Sequence, residues 1–138
     1  MPTSHHFAYV AVENAVWRSA ISETLRQRSW RVEVRASGFD LLEDLCDLIT
    51  NERPAIAPDL LVIDRLARGC AGTTIAYGLR ELGVRIPIVL VGTSEPAAAT
   101  DHDGIVQVFG PRAATVIARL VRPPAVSDPA SASRLRGS

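Results

Sequence analysis

Four short stretches of this chain are apolar almost without interruption: FAYVAV (7 to 12), LLVI (60 to 63), IPIVLV (86 to 91) and IVQVF (105 to 109). Each is the length of a strand, and a strand that does not alternate must be covered on both faces. RVEVR (31 to 35) does alternate, and reads as a strand with one buried face. Helical stripes separate these runs. Behind Asn14, a candidate N-cap, Trp17, Ala20, Ile21, Thr24 and Leu25 recur at helical spacing up to about Ser29. SGFDLLEDLCDLIT (37 to 50) carries Leu41, Leu42, Leu45, Leu48 and Ile49 on one stripe. Thr73 or Thr74 can cap a helix through Ile75, Leu79 and Leu82, with Gly83 as its stop. A last helix after Pro111 offers Ala113, Val116, Ile117, Leu120 and Val121. Five strands alternating with helices predict an α/β fold, a doubly wound five-stranded parallel sheet with helices on both faces.

A length of 138 residues suits one such domain. Its core is expected over residues 7 to 121, with a disordered N-terminus over 1 to 6 and a disordered Pro/Ser/Ala tail over 122 to 138. Fifteen basic and fifteen acidic residues balance to zero, so no basic face points to nucleic acid. All the basic residues are arginine, and the chain contains no lysine. Cys46 and Cys70 lack CxxC spacing, the start MPTSHHFAYV has no secretory leader, and no apolar run approaches membrane-spanning length. A cytoplasmic protein without membrane contact is the expectation.

In parallel sheets of this kind ligands bind outside the carboxyl ends of the strands. Glu13 follows the first strand and Asp64 ends the third, in PDLLVID, before a loop holding Gly69 and Gly72. Both acids should therefore reach the functional edge. The bland alternative is that each is simply polar where its strand surfaces.

These residues carry a resemblance. PDLLVID with the following GCAG, VEN with Arg18 five residues after Glu13, and RIPIVLV resemble the response-regulator receiver domain from about residue 7 to 121. The resemblance implies a flavodoxin/CheY-like (βα)5 fold with strand order 2-1-3-4-5. It implies that Asp64 is the phosphoacceptor, a nucleophile that takes a phosphoryl group from a histidine kinase and biases a surface read by a partner. It also implies a Mg²⁺ site at Glu13, Asp64 and the backbone carbonyl of Leu66.

Against that pattern several positions are altered. Val12 stands where the family has a second acid, which weakens the Mg²⁺ site. Gly92 stands where the family has a hydroxyl residue. Thr93 is a possible substitute, although a shift of one residue turns a side chain to the other face. Gly110, before Pro111, replaces the family's lysine, for which Arg112 is the nearest basic substitute; a guanidinium differs from an ammonium in shape and reach. Gln107 stands at the switch aromatic. The stretch from Gly92 to Gln107 is short, so the fourth helix should be reduced to a turn. Loss of one pre-organised donor costs roughly 2.7–4 kcal/mol of transition-state stabilisation, and two are altered here.

Two readings of different class follow. In the first, the chain is an atypical stand-alone response regulator that accepts phosphate on Asp64 from a sensor histidine kinase or phosphotransfer protein and signals to a downstream effector protein. In the second it is a pseudo-receiver, a protein interaction module independent of phosphorylation. Neither makes it an enzyme beyond self-catalysed phosphoryl transfer. A nucleotide-binding enzyme lacks support, since neither GxGxxG nor GxxxxGK[ST] occurs. An apolar last helix would allow a homodimer. His5 with His6, the DHD of 101 to 103 and Cys46 read as incidental or packing residues, Trp17 and Trp30 as core and edge packing. Cys70 is singled out only by its place after Asp64.

Overall fold

The computed structural model describes residues 6–35, 40–41, 43, 45, 58–65, 71–94, 101–102 and 104–121. The elements run β1 (Phe7–Ala11), α1 (Ala15–Gln27), β2 (Arg31–Val34), β3 (Leu60–Asp64), α2 (Gly72–Glu81), β4 (Ile88–Gly92), β5 (Asp101–His102), β6 (Ile105–Phe109), a 3-10 turn (Gly110–Arg112) and α3 (Ala113–Leu120). Asp40, Leu41, Glu43 and Leu45 are helical and lie between β2 and β3.

The sheet order is β2-β1-β3-β4-β6-β5. Its five parallel strands, β2, β1, β3, β4 and β6, follow the 2-1-3-4-5 order of a CheY-like receiver fold. An extra edge was not expected: Asp101 and His102 pair antiparallel with Val106 and Ile105 instead of lying in a solvated loop. Gly104, at φ +76°, provides the reversal between them, a conformation that a side chain disfavours. The expected shortening of the fourth helix falls largely on residues 95–100, outside the described residues.

The unbroken apolar runs are explained by two cores, one on each side of the sheet. Val10, Val62, Val89, Val91 and Val108 face α1 and α3, where Ile21, Leu25, Ala113 and Ile117 meet them. Leu61, Ile63, Ile88, Leu90 and Ile105 face the other way, against Leu41, Leu45, Ile75, Ala76 and Leu79. Alternate residues of β3 and β4 thus feed opposite cores, and neither strand has a face left for polar residues. By contrast β2 lies at the edge, and the one buried face expected from its alternation does not form: Val32 packs against the core, but Val34 is 44% exposed.

Helix ends follow local chemistry. The Asn14 side chain accepts the Trp17 N–H at 3.0 Å and caps α1. Gly83, at φ +87°, follows the C-cap of α2 as the stop read from the sequence. The expected threonine cap of α2 is a correction. The helix begins at Gly72 with Ala71 at its N-cap, because the Gly72 N–H donates to the Arg65 carbonyl at 3.1 Å and ties the first turn to the exit of β3. His6 stacks on Trp30 at 5.0 Å between ring centroids, consistent with packing rather than metal binding. No helix among the described residues is long and apolar enough to cross a membrane. Leu42, Cys46, Leu48, Ile49, Cys70 and the flanks 1–5 and 122–138 lie outside the described residues.

Candidate functional site

Strand β1 pairs with both β2 and β3, so the order reverses between β1 and β3 and a crevice opens at their carboxyl ends. A cleft of about 300 Å³ lies there, lined by Glu13, Asn14, Trp17, Asp64, Arg65, Val91, Gly92 and Thr93. Both acids read from the sequence are in it. The backbone N–H of Glu13 donates to Oδ2 of Asp64 at 2.7 Å, which fixes the carboxylate against the loop after β1. That loop is itself held by Arg18, whose guanidinium donates to the carbonyls of Val12 at 3.2 Å and Glu13 at 3.3 Å.

Asp64 is half-buried, and its pKa is raised above the ordinary 3.8. Burial is the main cause. The Glu13 N–H opposes it, and the Glu13 carboxylate adds to it by like-charge repulsion. An acid held above its ordinary value binds its proton more tightly folded than unfolded. The cost of the charge is therefore fully present above the folded pKa and is relieved as pH falls through it. Asp64→Asn keeps an oxygen for the Glu13 N–H and removes the charge. In the presence of a chelator it should melt higher than the native chain at neutral pH, and the difference should vanish below 3.8. Thermal melts across that range check this; an Asn variant less stable at neutral pH would contradict it.

The altered positions sort into distinct environments. Val12 is 2% exposed, packs in the core between the sheet and α1 and does not line the cleft. Gln107 is half-buried on β6 opposite Leu90 and does not line the cleft. Of the two proposed substitutes, Thr93 is exposed but lines the cleft, whereas Arg112 is exposed in the 3-10 turn and does not. Leu66 lies outside the described residues.

At the two glycines the sequence reading missed what fills the space. A side chain at Gly92 would meet the Arg65 guanidinium, with Cζ and Nε at 3.2 Å and Nη2 at 3.3 Å from its Cβ. A side chain at Gly110 would overlap the Trp17 indole. Arg65 thus lies across the end of β4, and Trp17 lies over the start of the 3-10 turn. Glycine within a strand signals close approach of another group, and that signal was available at Gly92.

Among the described residues no three His, Cys, Asp or Glu side chains form a metal-binding group. The donor set is instead two repelling carboxylates, Glu13 and Asp64, in one cleft. That set fits a hard divalent cation of the Mg²⁺ kind, which keeps several waters and needs only one or two carboxylates.

No family model matches the chain, and no curated protein matches it. Solved structures do. A response regulator receiver domain protein from Bacillus halodurans superposes with a TM-score of 0.64 at 14% identity, covering 86% of this chain and 95% of its own. The receiver domain of the hybrid histidine kinase CckA gives 0.60 at 22% identity, covering 84% of this chain and 94% of its own. The phosphorylated cyanobacterial phytochrome response regulator RcpA gives 0.60 at 18%, covering 86% and 89%. The fold is that of receiver domains.

Proposed function

We propose that this chain is an atypical receiver of two-component signalling that accepts a phosphoryl group on Asp64. The observation that supports it is the Asp64 carboxylate itself, at the carboxyl end of β3 in the switch-point cleft, oriented through Oδ2 by the Glu13 N–H. Among the described residues Oδ1 carries no hydrogen bond and is the oxygen able to attack. In the transfer, an Asp64 oxygen forms a bond to phosphorus as the P–N bond of a phosphohistidine breaks. The electron pair leaves with the imidazole, and an acyl phosphate remains on Asp64.

Glu13, Asp64 and the carbonyl of Leu66 would hold Mg²⁺, which when bound offsets charge developing on the phosphoryl oxygens. Glu13 also orients the acceptor through its N–H, and Arg18 holds the loop that positions it. The donor is a sensor histidine kinase or phosphotransfer protein and the recipient of the signal a downstream effector protein, all in the cytoplasm. The working unit spans residues 7 to 121 with His6 packed against it at Trp30, and the flanks 1 to 5 and 122 to 138 lie outside it.

A second reading has its own observation. The Trp17 indole occupies the space beside Gly110 where the resemblance places lysine, which suits a fixed surface in a phosphorylation-independent interaction module. Intact mass decides between them. After incubation with acetyl phosphate, a Mg²⁺-dependent gain of one phosphoryl group is expected in the native chain and none in Asp64→Ala. Absence of any gain overturns the acceptor reading and leaves the interaction module.

A further inference from the structure

The described cleft holds two acids and one guanidinium, and the guanidinium comes from the residue directly after Asp64. On a continuing strand Asp64 and Arg65 would point to opposite faces. Here β3 ends at Asp64, and Arg65 sits in the turn that follows, with its N–H donating to the Val91 carbonyl at 2.8 Å. Asp64 is paired with Val91, so the next residue of β4, Gly92, lies beside Arg65. Because Gly92 has no side chain, the guanidinium can lie across the strand end, 3.2 to 3.3 Å from where a Cβ would stand.

We propose that Arg65 is the cation of this cleft, gripping the oxygens of the phosphoryl group carried by Asp64. The proposal rests on the acceptor reading and adds to it the group that offsets the incoming charge. Transfer replaces a carboxylate of one charge by a phosphoryl group of about −1.5 to −2 beside Glu13. A planar guanidinium presents several N–H donors in a fork that matches phosphoryl oxygens. Among the described residues the other cations are poorly placed. The chain has no lysine, Arg18 donates to the Val12 and Glu13 carbonyls, and Arg112 does not line the cleft. Among the described residues no carboxylate pairs with Arg65.

The test has two arms, both preceded by circular dichroism to confirm folding. In the first, the initial rate of phosphoryl gain from acetyl phosphate with Mg²⁺ is measured by intact mass for native, Arg65→Ala and Arg65→Lys chains. The alanine variant should be slower by about 10²–10³, the lysine variant intermediate. Rates for native and Arg65→Ala within about threefold would overturn the role of Arg65 while leaving Asp64 as acceptor. In the second arm inorganic phosphate is titrated into Asp64→Asn, whose lost charge admits an anion, with Trp17 and Trp30 emission as the readout. Adding Arg65→Ala should weaken binding by about tenfold or more. If the native chain gains no phosphoryl group, the acceptor reading fails and this second arm decides. Weakened binding keeps Arg65 as an anion-gripping group, and unchanged or absent binding overturns it.

Discussion

Replacing Gly72 by alanine should destabilise the fold by about 1–3 kcal/mol, while the same change at Gly78 in the same helix should stabilise it by about 0.5–1 kcal/mol. The chemistry is identical, so the sign is set by surroundings alone. Glycine in a helix costs conformational entropy that alanine does not, and a Cβ at Gly78 meets nothing within 4 Å. At Gly72 the Cβ would overlap the backbone carbonyl of Asp64, with the Ile63 Cγ2 at 3.1 Å. Neither neighbour is the loose end of a side chain. Both belong to a strand buried on its two faces, so helix α2 has to retreat instead. Retreat strains the bond from the Gly72 N–H to the Arg65 carbonyl, which joins the helix to the strand end that carries Asp64 and Arg65. Urea denaturation of both variants measures the two signs. Stabilisation of similar size at both positions would show that the close approach at Gly72 is relieved without cost.

The same contrast explains what the sequence disclosed. The doubly wound sheet was legible because β3 and β4 are apolar at every position but their last, a pattern that few folds other than a covered parallel sheet can accommodate. Asp64 and Glu13 were legible because strand ends converge at a switch point whatever the side-chain details. The placement of Arg65 over Gly92 and of Trp17 over Gly110 was not. Along the sequence, glycine at 92 and 110 stands where the resemblance places a hydroxyl and an ammonium, and the nearest replacements along the chain are Thr93 and Arg112. The space left by each glycine is filled from another element: Arg65 at the exit of β3 lies over Gly92, and Trp17 of α1 lies over Gly110. Such exchange depends on which strand ends are neighbours in the sheet, and linear distance along the sequence does not contain that. The threonine cap failed for a related reason: a tertiary bond to the Arg65 carbonyl, rather than a local hydroxyl, sets where α2 begins.

Placing lysine at position 110 should therefore harm the native chain, and should be tolerated only when Trp17 is removed. The indole ring lies so close to Gly110 that even a Cβ would overlap Cδ2, Cε2 and Cε3, and the ring is also packed against the core between α1 and the sheet. Gly110 is buried, so the lysine stem cannot escape by shifting outward without moving the 3-10 turn that leads into α3. Overpacking of this kind costs about 1–3 kcal/mol, and Gly110→Lys should lower stability by at least that range's middle. Trp17→Ala removes apolar contact with the core and is also destabilising, but it vacates the volume that the lysine needs. The double variant should then be more stable than the sum of the single losses by about 1–3 kcal/mol, a coupling measurable in a urea double-mutant cycle. Additivity within about 0.5 kcal/mol would mean that the two residues do not compete for one space. With coupling, the phosphoryl-transfer rate of the double variant becomes informative. An ammonium admitted at position 110 would enter the space vacated by Trp17, which lines the cleft, and Arg65→Ala should cost less in that background than in the native chain, because the anion would then have a second cation.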